Sequence, residues 1–270
     1  MAENLKNLTI DTPEVDNWVV NKLTTSGIKI PSLEGYTVKE DEITALFERR
    51  VSNIDIDDWS DAEVGKYLDA EVNANWNLKI SLSTILNVPL YFVIWKNKIE
   101  KFKILKLDMV NNLIKATTVE LFETCLELAT WLSVLKGITV SKGFVESGRL
   151  SFIDICLRSH GVPWPGNLDG FILNENNSQV KAIFEFSRTR KYPVATHDLN
   201  RFFNQDRNRW SVFDVFRKVL NCNTFIILWS SDEQVIKLQK LKDVETNGLV
   251  FDEDLLLNQD EITPKINSIV

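Results

Sequence analysis

Two tryptophans constrain this chain more than any other feature. Trp76 and Trp95 recur 134 residues later as Trp210 and Trp229, and Leu86 and Asn87 recur at the same offset as Leu220 and Asn221. Lys106, Leu107 and Val110 return as Lys240, Leu241 and Val244, and Gly27 returns as Gly161. Tryptophan is rare, so two of them in register point to a tandem duplication rather than to generic core patterning. The period is far too long for a solenoid repeat, so the expectation is two fused domains. A looser match lies upstream. Pro31-Ser32-Leu33-Glu34-Gly35-Tyr36 parallels Pro165-Gly166-Asn167-Leu168-Asp169-Gly170-Phe171, and Ala45-Leu46-Phe47-Glu48 parallels Ala182-Ile183-Phe184-Glu185.

Each half reads as helix, hairpin, helix, strand, strand. Val15 to Thr25 carries Val15, Trp18, Val19 and Leu23 at helical spacing and ends at Gly27. Leu150 to Ser159 plays that part in the second half. There, a polar turn from Asn174 to Ser178 separates two short apolar runs, a hairpin signal. Asp198 to Val219 is a second amphipathic helix. Thr224 to Trp229 is a continuous β-branched and aromatic run, expected of a strand covered on both faces. Val235 to Leu241 alternates and is expected at the sheet edge. Leu90 to Trp95 and Lys98 to Leu107 match these two strands in the first half. Between the halves, Val119, Leu121, Phe122, Leu126, Leu128, Trp131, Leu132 and Leu135 form a helical stripe expected to pack against both copies. The reading is α/β, with tandem modules at 1–116 and 150–270 and a connecting helix within 117–149.

Composition narrows the function. The chain is 44% hydrophobic and 26% charged, ordinary for a soluble protein. Its net charge of −7 means that any grip on nucleic acid must come from a local basic patch. Cys125, Cys156 and Cys222 are isolated and read as reduced core thiols of a cytoplasmic protein. The first residues lack the apolar core of a signal peptide, and no apolar run approaches the roughly 20 residues a membrane span needs. There is no phosphate-binding glycine loop, no HExxH or Cys/His zinc cluster and no GxSxG elbow.

The hairpin is where chemistry enters. Asp169 starts its first strand and Glu185 sits late in its second, so in an antiparallel pair the two carboxylates could share one cation. A helix, a hairpin with an acid on each strand, then a helix and a strand resembles the PD-(D/E)xK nuclease superfamily, which includes many restriction endonucleases. The resemblance implies a mixed central sheet flanked by helices. It also implies a divalent metal, Mg²⁺ or Mn²⁺, held by Asp169 and Glu185, and a lysine two residues after the second acid that helps place the attacking water. Ser187 stands at that lysine position, so Lys181, Lys191 or Arg188 would have to supply the charge. A third metal oxygen would come from Asp154 or Glu146. Hard cations take such oxygen ligands, and a bound metal lowers the pKa of water and offsets phosphate charge.

The two halves differ in sign around this stretch. Phe186 to Lys218 holds Arg188, Arg190, Lys191, Arg201, Arg207, Arg209, Arg217 and Lys218 against Asp198, Asp206 and Asp214. Arg49 to Lys79 holds Asp55, Asp57, Asp58, Asp61, Glu63, Asp69 and Glu71 against Arg49, Arg50, Lys66 and Lys79. Basic residues beside the acids suit a phosphate backbone. The second half is therefore expected to act on DNA through Arg188, Arg190, Lys191, Arg201, Arg207 and Arg209. The first half is expected to be a degenerate copy, with Glu34, Glu48 and Arg50 at the matched positions and an acidic face open to a protein partner. His197, ahead of the basic helix, is a packing residue or a phosphate contact, and His160 a helix-end residue. Two functions follow. One is a Mg²⁺-dependent DNA endonuclease, of a restriction or phage-defence kind, working as a monomeric pseudo-dimer or a homodimer. The other is a non-catalytic nuclease-fold subunit that binds nucleic acid or protein.

Overall fold

The computed structural model describes residues 6–10, 17–143 and 150–269. The first half of the chain forms β1 (Leu8–Thr9), α1 (Trp18–Thr25), β2 (Leu33–Lys39), β3 (Glu42–Ser52), α2 (Asp61–Ala70), α3 (Trp76–Leu86), β4 (Leu90–Lys96), β5 (Phe102–Val110), β6 (Leu113–Phe122) and α4 (Cys125–Lys136). The second half forms α5 (Phe152–Ser159), β7 (Gly166–Leu168), β8 (Gly170–Leu173), β9 (Val180–Arg188), α6 (Phe203–Leu220), β10 (Asn223–Trp229), β11 (Val235–Glu245), β12 (Gly248–Asn258) and α7 (Gln259–Ile269). The fold is mixed α/β, with two mixed sheets and, among the described residues, seven α-helices.

The helices begin and end where the sequence supplies capping groups. Asn17 accepts the Val19 and Val20 amides at the start of α1, and Ser60 and Thr124 form capping boxes with Glu63 and Glu127. Asn87 and Asn221 take left-handed backbone just past α3 and α6, at the repeat offset. Gly27 and Gly161 do the same after α1 and α5.

The chain divides into two compact units, and neither is continuous in sequence. Unit 1 comprises Met1–Glu14 and Leu33–Asn167; unit 2 comprises Val15–Ser32 and Leu168–Val270. This departs from contiguous modules at 1–116 and 150–270. Helix α1 belongs to unit 2, and its counterpart α5 belongs to unit 1.

In unit 1 the strand order is β6-β5-β4-β3-β2-β7, with β1 also paired to β3. β3 runs antiparallel to β2 and parallel to β4. One face carries Ala45, Phe47, Val93, Trp95, Phe102 and Ile104, covered by Cys125, Leu128, Ala129 and Leu132 of α4 and Ile153, Cys156 and Leu157 of α5. The other face meets α3, where Trp76 packs edge-on against Phe92. In unit 2 the order is β12-β11-β10-β9-β8, again with the central strand antiparallel to one neighbour and parallel to the other. Val19 and Leu23 of α1 and Ile262 and Ile266 of α7 cover Ala182, Phe184, Phe225, Ile227 and Trp229. All four repeated tryptophan positions are buried.

Several expectations are corrected. The stripe from Val119 to Leu135 is not one helix. Val119, Leu121 and Phe122 lie on β6, whose Thr117-Thr118-Val119 run favours extended backbone, and Thr124 starts α4 only afterwards. The buried face of α4 sits in the unit 1 core. β11 is not an edge strand, because the acidic tail supplies β12 beside it. The helix expected from Asp198 starts at Phe203, after a 3-10 turn at Leu199–Phe202. The cysteines are not all reduced: Cys125 and Cys156 form a disulfide linking α4 to α5. Burial pushes the remaining Cys222 thiol up to about 12. Among the described residues no helix is long and apolar enough to cross a membrane.

Truncating Leu23 tests the assignment of α1 to unit 2. Leu23→Ala removes a fully buried side chain and should cost about 2–5 kcal/mol. Hydrogen exchange should then accelerate in β9 and β10, with β3 and β4 keeping their protection. Loss of protection in β3 and β4 instead would refute the assignment.

Candidate functional site

The hairpin of unit 2 brings its two acids to neighbouring strands. Gly170 pairs with Phe184, so one further step in that register sets Asp169 beside Glu185. Directly opposed residues on antiparallel strands share a sheet face. The glycine after Asp169 is required, since a Cβ there would collide with Ile30. Unit 1 repeats the register. Gly35 pairs with Phe47, setting Glu34 beside Glu48, and a Cβ on Gly35 would lie 3.0 Å from Pro165.

In unit 2, Glu185 is 2% exposed on β9. Its carboxylate is ion-paired with Arg209, which reaches it from α6. The Arg209 guanidinium also lies 5.5 Å from the centroid of the repeated Trp210. Asp169 Oδ2 accepts the Phe186 amide at 2.8 Å. Ser187 is half-buried two residues beyond Glu185, and alternation puts it on the same face. Lys181 shares that face but lies four residues back along β9, roughly 13 Å away. Asp154 belongs to unit 1, where it lies in the first turn of α5, accepts the hydroxyl of the N-cap Ser151 and accepts Arg49 at 3.0 Å. Glu146 falls outside the described residues.

The basic residues of unit 2 are exposed. Arg188 ends β9, donates to Ser231 at 2.7 Å and stacks over Trp229. Arg190 and Lys191 follow in the next turn. Arg201 lies over Tyr192, and Arg207 donates to the Thr246 carbonyl. His197 is partly buried between Tyr192 and Phe202, and that burial lowers its pKa. His160 caps the C-terminus of α5.

The matched position in unit 1 is denser in charge than the sequence suggested. Glu48 is 1% exposed, and its Oε1 takes Lys79 of α3 at 2.7 Å. Arg50, two residues after Glu48, reaches Glu34 at 3.0 Å and Glu48 at 3.7 Å. Arg49 points to the opposite face and joins Glu34 at 3.3 Å to Asp154. Lys79 and Arg50 both lie near the ring of the repeated Trp76, at 5.0 and 5.5 Å. Burial, and then the charge of Glu48, push the Glu34 carboxyl up to about 7. Lys79 as the partner of Glu48 is the functional group that pattern reading misses. Its signal was its place three residues after Trp76, just as Arg209 stands one residue before Trp210.

In each unit a carboxylate on an interior strand thus meets a cation from a later helix. Each of these acids is engaged within the chain. Glu185 holds a guanidinium, Asp169 holds a backbone amide, and Glu48 holds an ammonium. Among the described residues no group of three or more His, Cys, Asp or Glu side chains is placed to hold a metal ion.

No protein-family model matches the chain, and no curated protein matches it significantly. Among solved structures, one described as the crystal structure of a sex pheromone staph-cAM373 precursor aligns over 94% of this chain and 84% of its own. Its identity is 8% and its TM-score 0.18, too low to carry a shared fold.

Removing the cation should expose the cost of the buried acid. Lys79→Met leaves Glu48 without its nearest countercharge and should destabilise unit 1 by about 3–5 kcal/mol in urea unfolding. Adding Glu48→Gln should restore most of that loss. An unchanged unfolding midpoint in Lys79→Met would show that the pair does not form.

Proposed function

We propose that this protein binds nucleic acid through unit 2 and does so without hydrolysing it. On this reading both units are degenerate nuclease-like modules in which cations of the chain itself, not a divalent metal, neutralise the central carboxylates. The observation that carries the reading is the ion pair between buried Glu185 and Arg209, matched in unit 1 by Glu48 and Lys79. A carboxylate already neutralised in this way has less to offer Mg²⁺. Meanwhile Arg188, Arg190, Lys191 and Arg201 remain on the surface, where phosphate neutralisation supplies most nucleic-acid affinity. In unit 1 the matching cations Arg49, Arg50 and Lys79 are buried, which on this reading makes it the degenerate copy.

A second reading keeps the endonuclease. Arg209 is 46% exposed at its side chain, so it could leave Glu185 when substrate arrives. Asp169 and Glu185 would then hold the metal, with Lys181, Lys191 or Arg188 supplying the missing lysine charge. The register that sets the two acids side by side favours this reading.

Fluorescence anisotropy with labelled DNA in EDTA tests the first. Binding should persist without divalent metal and weaken steeply with added salt. The double variant Arg190→Glu/Lys191→Glu should lose about tenfold or more in affinity. A strict requirement for Mg²⁺, or indifference to both charge reversals, would contradict the proposal.

A further inference from the structure

The turn between β9 and α6 carries a row of three rings. Tyr192 and His197 have centroids 5.9 Å apart, and His197 stacks on Phe202 at 6.1 Å and 19°. Tyr192 and Phe202 are 44% and 38% exposed, unusual for large rings on a polar surface. The Arg201 guanidinium lies 5.6 Å from the Tyr192 centroid, and Arg190 and Lys191 are exposed immediately upstream.

The row is held in place from beneath. Buried Thr189 donates its hydroxyl to the Tyr192 carbonyl at 2.7 Å and its amide to the Trp229 carbonyl at 2.9 Å. Val194 is fully buried, and its amide is taken by Glu233 at 3.1 Å. Lys237 reaches the His197 carbonyl at 3.4 Å. The acids nearby are engaged with backbone: Glu233 takes the Val194 amide, and Asp198 takes the Asn200 amide at 3.0 Å.

From this geometry we infer that the Tyr192–His197–Phe202 row is a stacking platform for unpaired bases, making single-stranded nucleic acid the preferred ligand of unit 2. Exposed rings beside guanidinium and ammonium groups match both faces of such a strand, bases on rings and phosphates on cations. A duplex keeps its bases stacked on one another and offers these rings nothing flat. The inference rests on the nucleic-acid-binding reading and specifies its ligand.

The test uses the full chain in EDTA with three labelled probes of equal length: oligothymidylate, oligouridylate and a DNA duplex. Wild type should bind at least one single strand about tenfold or more tighter than the duplex. Tyr192→Ala and Phe202→Ala should each weaken single-strand binding by about 5- to 100-fold and leave duplex binding unchanged. Tyr192→Phe keeps the ring and should retain most of the affinity. Circular dichroism and a thermal melt confirm that the surface variants fold. A preference for uridylate over thymidylate, or the reverse, supports the platform and assigns its natural strand. Equal affinity for all three probes with no effect of ring removal overturns the platform and leaves the nucleic-acid-binding reading standing. No binding to any probe overturns both.

Discussion

A carboxylate on the central strand of a sheet, cut off from water, must have its countercharge beside it. Desolvation of an unpaired carboxylate costs several kcal/mol, and breaking a buried pair costs about 3–5 kcal/mol. Glu48 and Glu185 both sit under this constraint, at matching register positions on the second strand of each hairpin. Each is paired with a cation from a later helix of its own unit: Lys79 of α3 for Glu48, Arg209 of α6 for Glu185. The cation in turn lies close to a buried tryptophan, Trp76 or Trp210. The recurring tryptophan and the buried acid are therefore parts of one device, an aromatic wall beside the ion pair.

The pairing occurs in both units with its cations at different places: Lys79 follows Trp76 by three residues, and Arg209 directly precedes Trp210. In unit 1 Arg50 stands near Glu48 as a second cation, Arg49 and Arg50 both reach Glu34, and burial, then the charge of Glu48, push the Glu34 carboxyl up to about 7. In unit 2, Phe186 and Ser187 stand where those arginines would be, and the positive charge sits outside instead, on Arg188, Arg190 and Lys191. The residues that follow the strand acid thus enter a salt-bridge network in unit 1, while in unit 2 the cations that follow it are exposed.

The order of elements was legible because hydrophobic periodicity and capping residues act locally. Leu90 to Trp95 and Thr224 to Trp229 read true to within a residue. What could not be read were choices between equally good long-range partners. Helices α1 and α5 offer similar apolar stripes, so nothing in their own residues says which sheet each will cover, and the contiguous assignment failed there. Cys125 and Cys156 lie 31 residues apart with no pairing motif, and they meet only because α4 and α5 lie on one core. Val119 and Leu121 satisfied a helical template as well as a strand, and the neighbouring threonines decided it. At the site, the alignment of Glu34 with Asp169 and Glu48 with Glu185 was visible in sequence. Arg209 was counted as a phosphate contact because no local rule reveals a partner on another element.

Whether the countercharge has replaced the metal can be measured directly by supercoiled plasmid cleavage in Mg²⁺ and in Mn²⁺, with wild type run beside Asp169→Ala and Glu185→Ala. Wild type is expected to shift the plasmid in a binding gel while leaving it uncut in both metals. Metal-dependent nicking or linearisation by wild type, abolished by either substitution, would contradict that expectation and establish the endonuclease in its place.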